Sequence, residues 1–268
     1  MTRGGSAPAI PRKGDVAEEA VAAATYALRL ADDSLVLSHR LAQWSSRAPT
    51  LEEDVALTNI ALDLLGQARG LYPRVAELDG SRRSEDDYVF LRDEREFVNC
   101  LLVEQENGDF AHTVVRQLLY STYQLASWQA LLTSSDVQLA AVAAKAVKET
   151  AYHLDHAQHW AVRLGDGTEE SHERMQRAVD ALWPFTHELF EEDGVARAVA
   201  ASGTAPAPEA LRSGWENSVQ RVLEESTLRR PDIAWQPSGG RQGLHTEPFG
   251  YMIAEMQHLH RSHPGARW

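Results

Sequence analysis

An all-α protein, built as an antiparallel helical bundle, is what this sequence predicts, and three observations carry the prediction. No segment alternates apolar and polar residues with period two over a useful length. Four long stretches instead carry the 3.6-residue apolar period, in sequence rich in Ala and straight-chain residues. Cap and breaker residues mark the joints between them, as antiparallel neighbours require.

Taken in order, the first 14 residues, MTRGGSAPAIPRKG, are rich in Gly, Pro and Ser, show no period, and are expected to be a disordered tail. A single helical domain over 15–268 follows. Its first helix runs from Asp15, the expected N-cap with Glu18 three residues on, to about Ser46. Pro49 ends it, and Thr50 caps the second helix with Glu53 completing a capping box. That helix, LEEDVALTNIALDLLGQARGLYPRVAEL, is expected to kink or end near Gly70 and Pro73. Beyond the polar DGSRRSEDD, a third helical region covers about Tyr88 to Leu132, bent at Asn107-Gly108-Asp109. Ser134-Ser135-Asp136 starts the fourth helix, which ends at Gly165, and Thr168 caps a fifth that reaches about Phe190. GVARAVAASGTAPAP has little period. Pro208 opens a sixth helix to about Thr227, RRPDIAWQPSGGRQGLHTEPFG is a long turn-rich loop, and a last helix runs from Pro248 to about Ser262.

The composition narrows the function. Hydrophobic residues at 43% and charged residues at 24% are ordinary for a globular domain of 268 residues. A formal net charge of −13 opposes binding to nucleic acid or to an anionic membrane surface. No apolar run approaches the ~20 residues that cross a bilayer, and no h-region opens the chain, so a cytoplasmic protein is expected. Cys100, the single cysteine, lies in the apolar FVNCLLV and is expected to be a small core residue.

The chemistry is carried by polar residues inside apolar stripes, because bundles bind metals with carboxylates and imidazoles turned inward. In AKAVKETAYHLDHAQHW, Lys145, Glu149, His153, His156 and Trp160 share one stripe, with His159 off it. Asp32 and Asp33 lie between Leu30 and Leu35 in the first helix, and Asp63 in NIALDLLGQA of the second. Asp109 and His112 form Asp-x-x-His in the third region, with Glu104 and Glu106 just before, and Glu255-x-x-His258 repeats the form in the last helix. Asp33, Asp63, Asp109 and Glu149 thus place an acid on each of four helices. A di-iron carboxylate bundle uses Glu-x-x-His, and here the third residue after Asp63 is Gly66 and after Glu149 is Tyr152. Solvated acids are the ordinary alternative for each position. Lys145, one turn before Glu149, either neutralises inward carboxylates in place of a cation or snorkels to the surface. The SGG run before Arg241 is a flexible loop or an anion nest. No P-loop, dinucleotide fingerprint or G-x-S-x-G turn is present.

The strings DDSLVLSHRLAQW, LEEDVALTNIALDLLGQAR, DERE before FVNCLLVEQENGDFAHT, AAKAVKETAYHLDHAQHWAVRLGDGT, LWPFTHELF and SGGRQGLHTEPFGYMIAEMQHLHR, closing on Trp268, resemble the C-subunit family of phenylacetyl-CoA epoxidase, the ring-1,2 monooxygenase of aerobic phenylacetate breakdown. The resemblance covers about residues 15 to 268. It implies a ferritin-like four-helix bundle with additional C-terminal helices. It also implies a catalytically silent chain that pairs with a di-iron A subunit and helps form the phenylacetyl-CoA groove. A small bridging B subunit and a reductase with NADPH, FAD and an iron–sulfur centre complete the implied assembly, with no cofactor on this chain. Glu96, Phe97, Val98 and Asn99, after the matching RDER, are the resemblance's candidates for lining the acyl-CoA path. Asp33, Asp63, Asp109, His112, Glu149 and His153 are then a degenerate metal site, with Lys145 the possible charge substitute. Two other functions stay open on the residues alone: a di-iron oxygenase using those six positions, and a ferritin-like binding module.

Overall fold

A computed structural model describes residues 13–266, with side chains from Glu18 onward. The expected disordered tail lies almost wholly outside the described residues, although Lys13 and Gly14 already belong to a helix. The chain is all-α, with no strand among the described residues.

The bundle is two helical hairpins laid together. α1 (Lys13–Ala42) packs along α2 (Leu51–Asp79), and α4 (Phe110–Leu131) along α5 (Val137–Gly165), with α2 against α5. α3 is a single turn (Leu101–Glu104). α4 is buried over most of its surface, as a helix apolar nearly all round must be, and forms the centre of the molecule. α6 (Glu169–Leu182) and α8 (Glu209–Glu225) pack against α4 and α5, where Trp215 Nε1 donates to the Leu119 carbonyl at 2.9 Å. α7 (Gly194–Ala201) packs on α1, and α9 (Glu247–Ser262) covers a short π-turn at Asp87–Leu91. Among the described residues no helix is long and apolar enough to cross a membrane.

Boundaries moved where a side chain reached a partner that sequence does not reveal. Asp15 lies inside α1 rather than capping it. Thr50 does cap α2, its Oγ1 accepting from the Glu53 amide, but the Glu53 carboxylate takes His156 Nε2 at 2.8 Å in place of the box's return bond. α2 passes through Gly70 and Pro73 to Asp79 and stops at Gly80, which is left-handed with φ 70°. Leu71, Tyr72 and Val75 are buried around an exposed Pro73, so packing outweighs the one ladder bond the proline removes. GVARAVAA, read as unpatterned, is α7: Asp193 caps it by accepting from the Ala196 amide and pairs with Arg29 of α1. The helix expected to reach Phe190 continues from Leu182 as 3₁₀ turns through Pro184.

The largest departure is the third helical region, which is not continuous. Between Asp87 and Phe110 the chain makes a π-turn, a 3₁₀ turn at Glu94–Glu96, an extended run over 97–100 and the single turn α3. The Val98 amide donates to Asp32 (3.0 Å), the Cys100 amide to Asp33 (2.7 Å) and the Leu101 amide to Glu188 (2.6 Å). These buried carboxylates take the amides that a helix would have used.

The α2–α5 hairpin contact is pinned by Asp136, the N-cap of α5. Its Oδ1 accepts from the Gln138 and Leu139 amides, while Oδ2 accepts from Arg74 Nε (2.9 Å) and Nη2 (2.8 Å) of α2. Asp136→Ala removes the cap and the ion pair together and is expected to cost about 2–4 kcal/mol, read as a lower urea midpoint at unchanged m-value.

Candidate functional site

Of the expected metal positions, those on α2 and α5 come together. Asp63 Oδ2 lies 3.1 Å from His153 Nε2. Glu149 accepts from Gln67 Nε2 at 3.1 Å and pairs with Lys145 Nζ at 3.1 Å, and Gln67 Oε1 accepts from Gln124 Nε2 of α4 at 3.1 Å. His153 is wholly buried, and burial lowers its pKa further than the Asp63 hydrogen bond and the charges of Asp63 and Glu149 raise it. The imidazole is therefore held neutral. Lys145 meets Glu149 from the solvent side, with its side chain 72% exposed, so it is not a buried substitute for a cation.

The other positions serve elsewhere. Asp109 is the N-cap of α4, its Oδ1 accepting from the His112 amide at 2.9 Å, so Asp-x-x-His here is a capping geometry and not a ligand pair. Asp33 does not face Asp63; it pairs with Arg241. Glu255 and His258 are exposed on α9, Glu106 is exposed, and His159 pairs on the surface with Asp155. No group of three or more His, Cys, Asp or Glu side chains converges at metal-binding separation among the described residues. With Gly66 and a half-exposed Tyr152 where imidazoles belong, the donor set does not fit a di-iron centre.

Burial divides the four residues expected to line an acyl-CoA path. Phe97 and Asn99 are fully buried, which removes them from direct contact with a ligand at the surface, while Glu96 is exposed and Val98 partly so. Glu96 also completes a capping box with Asp93 around the 3₁₀ turn. Phe97 lies under the Arg92 guanidinium, 4.0 Å from ring centroid to Cζ.

That guanidinium belongs to a buried ionic frame whose members lie far apart in the sequence. Asp32 pairs with Arg92 (2.5 Å) and accepts from Tyr72 Oη (2.9 Å). Asp33 takes both terminal nitrogens of Arg241, at 2.9 and 2.8 Å. Glu104 accepts from Asn99 Nδ2 and from the amide and hydroxyl of Thr246, and lies 2.7 Å from His245 Nδ1. Glu188 accepts from the amides of Leu101, Gly239 and Arg241; burial lifts its carboxyl above the usual range, against the pull of Arg241 and those amides. Arg241, read as part of a loop or anion nest, is instead the counter-ion of Asp33. Burial opposes the Arg241 charge, but Asp33, with smaller contributions from Cys100 and Tyr123, outweighs it and holds Arg241 charged. The SGGRQG loop must lie flat on the strip to do this. A Cβ on Gly240 would stand 2.4 Å from the Asn99 carbonyl oxygen, and Gly243, at φ 75°, would press on that of Arg95. Cys100 sits inside the frame, wholly buried, its thiol pushed well up by burial and by Asp33, as suits a core residue.

Breaking one half of this frame leaves a charge stranded. Asp33→Asn is expected to cost about 3–5 kcal/mol by denaturant unfolding. His245 adds a pH signature. Burial opposes its charge, but the Glu104 hydrogen bond and charge, with the Phe97 carbonyl, raise its pKa above 6.5. A raised histidine stabilises fully below 6.5 and loses that contribution as pH climbs through the folded value. The melting-temperature difference between the natural chain and His245→Gln should therefore shrink as pH rises above 6.5; a constant difference would refute the coupling.

Known proteins share this sequence over nearly its whole length. The family model described as "Phenylacetic acid catabolic protein" matches residues 9–268. Over 243 residues the chain is 49% identical to the C subunit of 1,2-phenylacetyl-CoA epoxidase from Escherichia coli (strain K12), a match that spans 91% of this chain and 98% of that one. The chain belongs to the phenylacetic acid catabolic protein family.

Proposed function

We propose that this chain is the non-catalytic structural subunit of a phenylacetyl-CoA 1,2-epoxidase, pairing with a di-iron catalytic subunit and helping to form the acyl-CoA groove. The observation that carries the reading is the closed set of side-chain bonds where a sister bundle would hold iron. Asp63 is committed to His153, and Glu149 to Gln67 and Lys145. The similarity to an epoxidase C subunit supports the same assignment. In the complex, iron resides on the catalytic partner and NADPH, FAD and iron–sulfur chemistry on a reductase, with a small bridging subunit between. All of them work in the cytoplasm. Of the acyl-CoA strip, Glu96 and Val98 are the members open to a ligand.

A stable pair needs an apolar patch of several hundred square ångströms on each partner. The outer faces of α2 and α5 offer apolar side chains for one: Leu51, Val55 and Leu62 on α2, and Val137 and Tyr152 on α5, are all at least half exposed. Gly66, Gly70 and Ala141 between them let a partner helix approach closely. The rigid frame behind Asp32 and Asp33 would then act as a fixed surround for ligand helices on the other chain.

Two measurements test the reading. Separately purified chain is expected to carry far less than one iron by atomic absorption, and tightly held stoichiometric iron would assign it the chemistry itself. Leu62→Glu with Tyr152→Ser should weaken co-purification with the catalytic partner by about tenfold or more, because both side chains leave a buried contact. The isolated variant's melting temperature should stay where it was, since neither residue is buried in the free chain.

A further inference from the structure

The buried arginines divide into two kinds. Arg29, Arg92 and Arg241 each meet an aspartate, at 2.5, 2.5 and 2.8 Å. Arg40, 4% exposed, and Arg116, 0% exposed, meet only neutral acceptors. Arg40 Nε donates to the Glu104 carbonyl (2.9 Å) and Nη2 to the Pro248 carbonyl (3.2 Å). Arg116 donates to the Gln105 carbonyl and to Asn107 Oδ1, and its buried Nε has no partner. The Glu104 carboxylate is engaged by Asn99, His245 and Thr246. Burial, followed by the charge of Arg40, lowers the Arg116 pKa to about 9. Two guanidiniums therefore share one buried shell without a carboxylate bonded to either: the charges of Glu106 and Glu104 favour Arg40 through space, while nothing opposes burial at Arg116, a cost that a further anion would relieve.

The acceptors that hold these arginines belong mainly to residues 104–107, and the chain there, Glu106 to Gly108, walls an open cavity of about 660 Å³. Arg40, Arg47, Trp44 and Asn107 line it, with Glu106 and Glu255 as its acids. Arg47 is exposed and has no ion-pair partner among the salt bridges of the described residues. Gly108 makes the wall possible: at φ 55° it turns the chain into α4, and a Cβ there would stand 3.1 Å from His112 Cβ.

We propose that the cavity over Arg40 is a phosphate-binding site, with Arg40 and Arg47 as the contacting cations and Arg116 the charge behind them. Guanidiniums suit this chemistry: the exposed Arg47 can offer its planar fork to two phosphate oxygens, and Arg40, with Nε and Nη2 already donating to carbonyls, has Nη1 left to add. The volume admits a phosphate monoester or a nucleotide diphosphate end. The geometry stands without the pairing reading; if that reading holds, the nucleotide end of a CoA thioester is the natural source, with free phosphate the other.

Isothermal titration calorimetry of the full chain with inorganic phosphate and with adenosine 3′,5′-bisphosphate tests it, repeated on Arg47→Glu and Arg40→Gln. Binding in the sub-millimolar range is expected, weakened about tenfold or more in either variant. Bisphosphate binding tenfold tighter than phosphate assigns a nucleotide source, and equal affinities assign free phosphate. No binding of either probe, or binding unchanged in both variants, overturns the proposal. Should Arg40→Gln fail to fold, Arg47→Glu decides alone, because that side chain is exposed. A negative result leaves the pairing reading to its own tests of iron and co-purification.

Discussion

Two consecutive aspartates in the middle of α1 govern the architecture around them. Adjacent helical positions point about 100° apart, so Asp32 and Asp33 cannot share a partner. Asp32 takes Arg92, Tyr72 and the Val98 amide, and Asp33 takes Arg241 and the Cys100 amide. Between them they hold one strip of backbone extended and fasten onto it a loop 208 residues further along the chain. Held this way, residues 97–100 run extended as a strut before the chain turns into α3.

Such a frame is weak evidence of stability in itself, because taking paired charges out of water offsets most of their attraction. What it supplies is uniqueness of geometry. Val98 N and Cys100 N must alternate between the two acids, and Glu188 must receive three amides from two separate segments. The glycines at 240 and 243 leave no room for an alternative seating of the loop. A chain whose role is to hold another chain's helices in place needs this kind of determinacy more than it needs surplus stability.

The helices were legible in sequence because period and caps are local. Thr50, Asp136 and Thr168 each cap the helix they were expected to begin. The frame was not legible, because Arg92, Glu188, Arg241 and His245 find their carboxylate or amide partners 51 to 208 residues away. One signal was present: Arg in a Gly-rich loop and tandem Asp in an apolar helix are both unusual, and charge balance inside a core could have joined them. The separate fates of the degenerate metal positions were hidden for a related reason. Asp33, Asp63 and Glu149 look alike in sequence, yet one faces a buried arginine, one the α2–α5 seam and one a surface lysine. Burial, not residue type, separates them.

The interior of the bundle still differs from that of an ordinary helical core. Gln117 and Gln124 on α4, with Thr150 and His153 on α5, each bury a polar atom that no group among the described residues satisfies. Each such atom costs about 1–3 kcal/mol, and a leucine or alanine would avoid the cost. A bundle selected only to fold would have replaced them, as it has filled the neighbouring Leu118, Leu119, Ala146 and Ala157 positions with apolar side chains. Polarity retained along the inner faces of α4 and α5, where the Gln67–Glu149 and Asp63–His153 bonds also lie, fits an interior once organised around charged ligands. The imidazole three residues on is missing after both Asp63 and Glu149, while a polar lining of the kind that would surround it is present. On the proposed reading, catalytic loss in such a chain is local, confined to the ligand positions at Gly66 and Tyr152, and the scaffold that orients helices persists because a partner chain still leans on it.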